Sequence, residues 1–541
     1  MSERPTSVYD YIVIGSGAGG AVVANRLSAD PATSVLLLEA GGPDRNPMHL
    51  VPKGFYFTMN SPRSSQKYRT EPYGSGVTAE WAKGRVLGGS TTINGMVWNR
   101  GWAPDYDALE QQGMIGWNWE RFVQAFRAIE DHELGPGPVR GVGGPVPVSI
   151  ASPPEEASDA MIEAMGKHGI GFVEDPNGTD DDRVGYVASN IKRGTRMSAA
   201  RAYLRPARKR RNLTILTHTE ADRLVLDGTR VTGVEARTRS GSTVFDVRRE
   251  VIVAGGPLES PQLLERSGIG RPDVLDAAGI PVVVASPRVG ENLREHRGVT
   301  LQVSLSGVEG FNKQASSFRR QMWAGFKYLF TRSGLIAHGG YNVVAAYRSD
   351  PASSRPDTHA FFTPISTSRV NPISGRLVVD KSPGARFVVS ATYPTSAGSV
   401  HVTSPDPTKP PRVVASFLET QHDRDLAVKV LRKGREILAT EPFSRYVTQE
   451  LEPGPQVSTD EEIIEFTRDS GVAGLHTLGT CAMGPDDDDV VDGHLRVRGV
   501  EGLRVVDSSV FPQMPSGNCS APTQALAWIA SDIIIADNAV R

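Results

Sequence analysis

The sequence is poor in cysteine and lacks long apolar runs. Its 541 residues include two cysteines, Cys481 and Cys519, which are too few for a disulfide framework or a cysteine-rich metal site. No apolar run reaches the roughly 20 residues that a membrane-spanning helix needs. The formal net charge of −2 at pH 7 leaves no basic excess for nucleic acid or an anionic membrane. We therefore expect no metal, nucleic-acid or membrane partner.

The start and the length of the chain set further expectations. Residues 1–5 are followed almost at once by the first apolar pattern, which leaves no room for the apolar core of a signal peptide. This favours a cytoplasmic protein. A chain of 541 residues exceeds what one simple core accommodates, so we expect two or more domains. A monomer and a homodimer both remain open.

A glycine cluster near the start organises the first domain. A β-type apolar run at residues 11–14 enters it, and a helix-patterned run at residues 21–27 leaves it. Gly15, Gly17 and Gly20 occupy the glycine positions of G-x-G-x-x-G. Gly15 permits a tight turn, Gly17 lets the backbone approach a pyrophosphate, and Gly20 lets the helix pack close to the strand. The free N–H groups at the helix start would then face that pyrophosphate.

An acidic residue supports the same interpretation. A second strand pattern at residues 35–39 ends in Glu39, about twenty residues after the glycines. This carboxylate can accept hydrogen bonds from a ribose, which favours an adenosine without a 2′-phosphate. The alternative is a glycine-rich turn in an ordinary βαβ unit. Strand, helix and distal acid together favour a dinucleotide site.

A second glycine-rich segment spans residues 84–96. Gly88 and Gly89 let backbone amides approach a flat or anionic group, and Ser90, Thr91 and Asn94 supply short polar side chains. Taken alone, the segment is a polar turn before a helix. Its meaning depends on the motifs around it.

Together these motifs resemble the glucose–methanol–choline (GMC) oxidoreductases. The resemblance is carried by the N-terminal glycine motif and by the stretches Gly84-Arg-Val-Leu-Gly-Gly-Ser90, Asn94-Gly-Met96, Arg100-Gly, Asp105-Tyr and Gly116-Trp117. It implies that the cofactor is FAD. Some members attach the flavin covalently through a histidine, but the matching position here is Ile93. We therefore expect FAD bound without a covalent link.

The resemblance also implies a set of cofactor-binding residues distributed along the chain. Those at the pyrophosphate and ribose come from the first motif, and others lie along the flavin. The full set is Gly15, Gly17, Ala18, Gly20, Glu39, Arg85, Gly88, Gly89, Ser90, Asn94, Gly95, Met96, Ala221, Ala254, Asp507, Ser508, Asn518, Pro522 and Thr523. Pro522 and Thr523 would begin the last helix, whose positive end could stabilise a reduced flavin.

The catalytic candidates lie near the C-terminus. Taken alone, His476 reads more readily as a structural histidine, since no other histidine or carboxylate pair adjoins it. The family instead places this histidine at the flavin ring, with a second histidine or an asparagine opposite, and Asn518 matches the asparagine. Alcohol oxidation removes a proton as well as a hydride, and histidine is the base suited to neutral pH. The amide of Asn518 can hold the hydroxyl in place.

Five other features are interpreted without a role in catalysis or cofactor binding. His296 is interpreted as structural and Cys519 as a small packing residue. The basic run at residues 205–211 is interpreted as a helix end facing water, and the acidic run at residues 486–489 as a solvated loop. Ala397 stands where the family usually has a larger or basic residue, with an unknown effect on the substrate pocket.

The expected fold class is α/β plus α+β. A Rossmann-like FAD-binding domain is combined with a discontinuous substrate domain built on an antiparallel sheet. Residues 1–155, 191–299 and 466–541 are assigned to the FAD-binding domain, the last of these carrying the catalytic residues. Residues 156–190 and 300–465 are assigned to the substrate domain.

The expected function is oxidation of a primary, aryl or aliphatic alcohol, with O₂ or another electron acceptor. Two alternatives share this scaffold, a lyase of the hydroxynitrile lyase type and a light-driven fatty-acid decarboxylase. A flavin-binding protein without turnover is a third. Fold analogy alone does not decide between them.

Overall fold

Two large sheets form the framework of the molecule. The computed structural model describes residues 8–150, 155–370 and 377–539. In the first sheet, Val8–Ile14 pairs in parallel with Val35–Glu39 on one side and Gly241–Val253 on the other. The strand order is Leu213–Thr217, Val35–Glu39, Val8–Ile14, Gly241–Val253, Arg230–Thr238 and Glu220–Asp227, with Leu503–Val505 also beside Gly241–Val253.

The first sheet is covered on both faces, as its sequence requires. Ile12 and Val13 are fully buried, and Val35–Glu39 is buried throughout, as expected for continuous apolar runs in parallel strands. The helix Ala18–Leu27 follows the first strand and packs against the last helix, Ser520–Ala539. The last helix therefore lies beside the helix that follows the first glycine motif.

The second sheet is antiparallel along most of its length. Its strand order is Val447–Glu452, Arg297–Leu305, Gly384–Ala391, Thr358–Thr363, Val343–Tyr347, Arg183–Tyr186 and Gly171–Phe172, with Val472–Ala473 beside Arg297–Leu305. The long helix Gln421–Leu438 packs on Gly384–Ala391 and Arg297–Leu305. Its apolar side chains, among them Leu431 and Ile437, join the core of this half of the molecule.

The remaining elements are short pairs of strands and surface helices. The paired strands are Ser65–Arg69 with Glu80–Gly84, Glu130–His132 with Val146–Val148, Ile191–Lys192 with Thr195–Arg196, Ile269–Gly270 with Val284–Ala285, Thr367–Val370 with Leu377–Val379, and Ser399–His401 with Arg412–Val414. The other α-helices are Phe55–Thr58, Ala103–Gln111, Trp119–Ile129, Glu156–Gly166, Arg205–Ala207, Ser260–Arg266, Pro272–Ala277, Asn312–Ser316, Phe318–Thr331 and Asp460–Ser470. Single turns of other helix types are Pro47–His49, Pro52–Gly54, Gly89–Thr92, Ala200–Leu204, Leu335–Ala337, Phe443–Tyr446 and Ser508–Val510.

The expected combination of a Rossmann-like sheet and an antiparallel sheet is confirmed. Strands at residues 171–186 join the second sheet, whereas the strands between residues 213 and 253 belong to the first. The domain boundaries themselves stay predictions, and residues 1–7, 151–154, 371–376 and 540–541 lie outside the described part of the chain. Within that part, none of the helices is long and apolar enough to cross a bilayer.

Two element boundaries differ slightly from the expectation. The first helix begins at Ala18 rather than at residue 21, because its first turn already includes the glycines of the motif. The last helix begins at Ser520, two residues before Pro522. Apolar periodicity locates the middle of an element better than its ends.

Three charged side chains, Glu265, Glu291 and His401, link the helix Ser260–Arg266 to the strand Ser399–His401. His401 Nδ1 lies 2.7 Å from Glu265 Oε1, and its Nε2 lies 3.2 Å from Glu291 Oε1. The Glu265 side chain is fully buried. Burial lowers the pKa of His401, but its hydrogen bonds to Glu265 and Glu291 outweigh burial and raise the pKa from 6.5 to about 9. His401 is therefore a cation at neutral pH.

We expect His401→Gln to lower the free energy of unfolding by about 3 kcal/mol at pH 7, because it leaves the Glu265 carboxylate buried without its cation. A raised pKa contributes stability that is complete below pH 6.5 and is lost as the pH rises through 9. The difference between wild type and variant should therefore shrink by pH 10. Denaturant unfolding at both pH values measures it.

The matched control is His422→Gln, on the exposed side of the helix Gln421–Leu438, which should change stability little at either pH. A His401 variant as stable as wild type at pH 7 would contradict the assignment.

Candidate active site

The first glycine turn forms a cradle. It is tightly packed at Gly15 and Gly20 and open at Gly17. Gly15 has φ +96°, and a Cβ atom there would lie 2.3 Å from the carbonyl oxygen of Ala254. A Cβ atom on Gly20 would lie 1.9 Å from the carbonyl oxygen of Gly15. At Gly17, however, a Cβ atom would meet no atom of the described chain within 4 Å. The open side lies at the start of the helix Ala18–Leu27, which suits a phosphate group.

Glu39 lies buried at the edge of this cradle. Its carboxylate accepts hydrogen bonds from the Gly41 amide at 2.7 Å, the Ser16 amide at 3.2 Å and the Ser16 hydroxyl. Burial raises the pKa of Glu39, and these hydrogen bonds oppose that rise. A carboxylate has about four acceptor positions, so one remains for a ribose hydroxyl.

The second glycine segment packs directly on the first. The Gly88 amide donates to the Ser16 hydroxyl at 3.0 Å. Gly88 and Gly89 have φ of +94° and +53°, and a Cβ atom on Gly89 would lie 2.9 Å from the Cα of Gly17. Both segments therefore border the same open space, and only glycine allows them to approach so closely.

The rest of the second segment is held by polar contacts. Asn94 Oδ1 accepts from Arg196 Nη1 at 2.8 Å and from the Met96 amide at 3.1 Å. Ser90 Oγ accepts from the Gly84 amide at 3.0 Å. A Cβ atom on Gly95 would meet no described atom within 4 Å, so the segment is open to a ligand there as well.

The Arg85 side chain contacts other protein side chains. Its guanidinium donates to Glu220 Oε2 at 2.8 Å and to Gln66 Oε1 at 2.6 Å. The neighbouring Ala221 is buried, and the Thr219 amide donates to the carbonyl oxygen of Glu39 at 2.9 Å. Ala221 thus lies close to Glu39. The charge of Arg85 is paired with that of Glu220.

Asp507 links the tips of two strands of the first sheet. Its carboxylate accepts from the Gly256 amide at 2.8 Å, the Ser260 hydroxyl at 2.6 Å and the Ser509 amide at 2.8 Å. Ser508 Oγ donates to the carbonyl oxygen of Thr477 at 3.3 Å. The carboxylate of Asp507 therefore orders the protein backbone beside the cradle.

At the start of the last helix, Pro522 and Thr523 are buried, and Thr523 Oγ1 donates to the carbonyl oxygen of Cys519 at 2.7 Å.

The two catalytic candidates are in contact. Asn518 Nδ2 lies 2.8 Å from His476 Nε2. On its other side, His476 Nδ1 lies 3.0 Å from Nδ1 of His296, and Nε2 of His296 lies 2.9 Å from the carbonyl oxygen of Thr392. The structure therefore places His296, which the sequence analysis interprets as structural, in direct contact with His476.

The direction of each hydrogen bond follows from one fixed acceptor. The Thr392 carbonyl can only accept, so Nε2 of His296 carries a hydrogen. Burial lowers the pKa of His296 to about 4, and the neutral ring then has its lone pair on Nδ1. His476 must donate from Nδ1, which leaves a lone pair on its Nε2 facing the amide of Asn518. This tautomer is assigned from the network of hydrogen bonds.

Burial keeps His476 neutral as well. Burial and the neighbouring His296 and His359 together lower its pKa well below 6.5. Its Nε2 is thus an unprotonated base at neutral pH. Oδ1 of Asn518 is buried and has no hydrogen-bond partner in the described part of the chain, so it can accept from a ligand hydroxyl.

His359 and its neighbours extend the site towards the second sheet. Its Nε2 lies 3.3 Å from Asn99 Nδ2, and burial lowers its pKa to about 3. Its ring lies 4.5 Å from that of Phe361, which stacks on Tyr341 at 4.6 Å. Sequence reasoning missed His359 and Asn99, because 260 residues separate them and only the tertiary fold brings them together.

The backbone around His476 is held by three side chains behind it. Glu295 Oε1 accepts from the His476 amide at 2.8 Å, and Lys83 Nζ donates to the carbonyl oxygen of Leu475 at 3.0 Å. Cys519 Sγ lies 3.3 Å from the carbonyl oxygen of His476. Burial raises the pKa of the Cys519 thiol, which favours packing over nucleophilic chemistry.

The acidic run at residues 486–489 and Ala397 are also interpreted from sequence. Asp489 is buried and paired with Arg288, so the acidic run is a solvated loop only in part. Ala397 is exposed, which leaves its effect on the substrate pocket open.

Comparisons with known proteins identify the family. The N-terminal GMC oxidoreductase family model matches residues 9–297, and the C-terminal one matches residues 394–527. This chain belongs to the GMC oxidoreductase family. It is an FAD-dependent alcohol oxidoreductase.

Individual relatives agree with this assignment. The oxygen-dependent choline dehydrogenase of Vibrio vulnificus is 34% identical over 97% of this chain and 94% of its own length. The human mitochondrial choline dehydrogenase is 36% identical over 97% of this chain and 89% of its own length. The crystal structure of pyridoxine 4-oxidase from Mesorbium loti has a TM-score of 0.86 and 30% identity, over 97% of this chain and 98% of its own.

We expect Gly17→Ala in this GMC oxidoreductase to weaken FAD binding by about tenfold or more, the equivalent of about 1.4 kcal/mol. The added methyl enters open space at the cradle, so it should leave the apoprotein stable. FAD affinity and the thermal unfolding midpoint of the apoprotein measure the two effects separately.

Gly20→Ala is the contrasting variant, because its Cβ would meet the carbonyl oxygen of Gly15 at 1.9 Å. We expect it to destabilise the apoprotein by about 1–3 kcal/mol. Unchanged FAD affinity in Gly17→Ala would show that the cradle does not hold the pyrophosphate.

Proposed function

We propose that this GMC oxidoreductase oxidises a primary alcohol with His476 as the base and Asn518 as the residue that positions the hydroxyl. The observation that carries this proposal is the lone pair on Nε2 of His476, which faces Asn518 in a buried site. A second supporting feature is the free acceptor Oδ1 of Asn518.

In the proposed reaction, Nε2 of His476 takes the proton of the substrate hydroxyl. Nδ1 of His476 keeps its hydrogen and continues to donate to His296, so no second proton has to move. Asn518 holds the hydroxyl against the base and limits its orientation. When bound, FAD supplies the acceptor for the hydride. Burial of the site excludes water from the proton-transfer step.

The residues that would hold FAD are those that border the open cradle. We propose that Gly15, Gly17, Ala18, Gly20 and Glu39 bind its pyrophosphate and ribose. Farther along the cofactor we propose Gly88, Gly89, Ser90, Asn94, Gly95, Met96, Ala221, Ala254, Asp507, Ser508, Pro522 and Thr523, with Arg85 acting through its backbone. Ile93 has no nucleophilic atom, which supports binding without a covalent link.

For the substrate we propose an alcohol with an aryl or aliphatic body. Phe361 and Tyr341 form a stacked aromatic wall next to His359. The Gly340 amide lies 3.4 Å from the carbonyl oxygen of Gly95, which brings this wall close to the proposed flavin segment. Aromatic faces bind apolar groups and also organic cations. Choline and pyridoxine, named in three relatives, are therefore suitable test alcohols together with benzyl alcohol and straight-chain alcohols.

We expect His476→Ala to lower the rate of flavin reduction by about 10²- to 10⁴-fold, as is usual when a general base is removed. Bound FAD and thermal stability should stay close to wild type. Anaerobic stopped-flow mixing with the best alcohol measures the rate from the bleaching of the oxidised flavin band. The control is His422→Ala, an exposed histidine, and a His476 variant within about threefold of it would refute the role.

His296 is a positioning residue, and its replacement tests the tautomer assignment. If nothing accepts a hydrogen bond from Nδ1 of His476, its hydrogen can lie on either ring nitrogen. Only the tautomer with the hydrogen on Nδ1 has a lone pair on Nε2. We expect His296→Phe to lower the reduction rate by about tenfold or more, whereas His296→Asn, which can accept through its amide, should retain more of it. Equal rates in the two variants would argue against tautomer control.

The same anaerobic titration separates oxidation from the alternatives. Oxidation reduces one flavin per alcohol in the absence of O₂. A lyase would convert its substrate with no lasting change of the flavin band, and a decarboxylase would need light. Readmission of air then shows whether O₂ or another acceptor reoxidises the flavin.

A further inference from the structure

The helix Phe318–Thr331 presents a row of large apolar side chains to solvent. Their exposed fractions are 74% for Phe318, 61% for Met322, 67% for Trp323, 54% for Phe326, 67% for Leu329 and 73% for Phe330. At about 100° per residue, these six side chains lie within an arc of about 140° on the helix. We call this set the apolar arc. Contiguous exposed apolar surface of this kind marks an interaction site.

The helix is attached to the rest of the molecule mainly by its opposite side. Within it, Tyr328 is the one buried residue, and its hydroxyl donates to the carbonyl oxygen of Gly194 at 2.9 Å. Most helices gain their stability from packing an apolar face. Here the wide apolar face is turned away from the protein, so an external partner must cover it.

The charges on the segment that carries the arc are of one sign. Residues 317–340 contain no aspartate or glutamate, and their four basic residues, Arg319, Arg320, Lys327 and Arg332, are all exposed. By helix position, Arg319 lies within the apolar arc, and Arg320 and Lys327 lie along its border. Aromatic and aliphatic side chains flanked by basic residues are typical of helices that lie in a membrane interface. Long basic side chains can reach lipid phosphates while their stems stay with the apolar residues.

We infer that the apolar arc is a docking surface for an anionic lipid bilayer. Its aromatic and aliphatic side chains enter the boundary between headgroups and acyl chains, and the four basic residues contact lipid phosphates. A second copy of this chain fits less well, because pairing two arcs would bring eight cations together with no acid in either segment. The expectation of no membrane partner came from the net charge of the whole chain, which averages out this local patch.

The docking surface is connected to the active-site half of the chain. The chain leaves the helix through Leu335–Ala337 and reaches Gly340, whose amide lies against Gly95. The chain therefore leads from the apolar arc to the segment that borders the proposed flavin site within about ten residues.

The test is vesicle flotation of the full-length, FAD-loaded protein. We expect binding to vesicles of phosphatidylcholine with 30% phosphatidylglycerol, weaker binding to pure phosphatidylcholine, and a loss of the difference at high salt, where the Debye length falls to about 3 Å. Trp323→Ser with Phe326→Ser and Phe330→Ser should lower the partition coefficient by about tenfold or more. Arg320→Gln with Lys327→Gln should remove most of the preference for the anionic lipid.

The matched control replaces exposed apolar residues elsewhere, Ile115→Ser with Phe172→Ser, and should bind like wild type. Thermal unfolding and the flavin spectrum of each variant show that it is folded. Absence of wild-type binding to the anionic vesicles overturns the inference. If light scattering then shows a dimer that the triple variant converts to a monomer, the arc is an interface between copies. Equal binding by the triple variant and the control also overturns it.

Discussion

The hydrogen-bond chain from the Thr392 carbonyl through His296 to His476 is the interaction on which the proposed chemistry depends. Thr392 follows a strand of the antiparallel sheet, and His296 precedes the neighbouring strand of that sheet. Asn518, at the other end, precedes the last helix, which packs on the Rossmann-like half. The proposed base is therefore oriented by one half of the molecule, and the residue proposed to position the alcohol comes from the other. Relative movement of the two halves would misalign the proton transfer.

A second constraint is the close packing of backbone around the cradle. Gly15, Gly17 and Gly20 place a turn, the open side of the cradle and a helix–strand contact within six residues. The glycines of the second segment then approach the first to within contact distance. Short polar bridges, such as that from Glu39 through Ser16 to Gly88, hold the two segments in register. The open space that remains is defined by main chain, so its shape resists changes in side chains elsewhere.

The apolar arc shows how a property of the whole chain can conceal a local one. A net charge of −2 and ordinary composition describe the protein as a whole, yet residues 317–340 are purely basic and strongly apolar. The proposed lipid contact needs no spanning helix, because an amphipathic helix in the interface keeps its backbone hydrogen bonds and inserts side chains alone. The helix would thus hold a GMC oxidoreductase at the surface of a bilayer.

The sequence by itself determined the glycine turn, the helix that follows it and the strand at residues 35–39, because turn chemistry and apolar periodicity are local properties of the chain. The resemblance to the GMC family, and not any local pattern, pointed to His476 and Asn518. Tertiary structure decided the partner of His476, the pairing of Arg85 with Glu220 and the outward direction of the apolar arc. Each of these depends on strands far apart in sequence, and alternating or helical patterns do not say which distant element an apolar or polar side chain will meet.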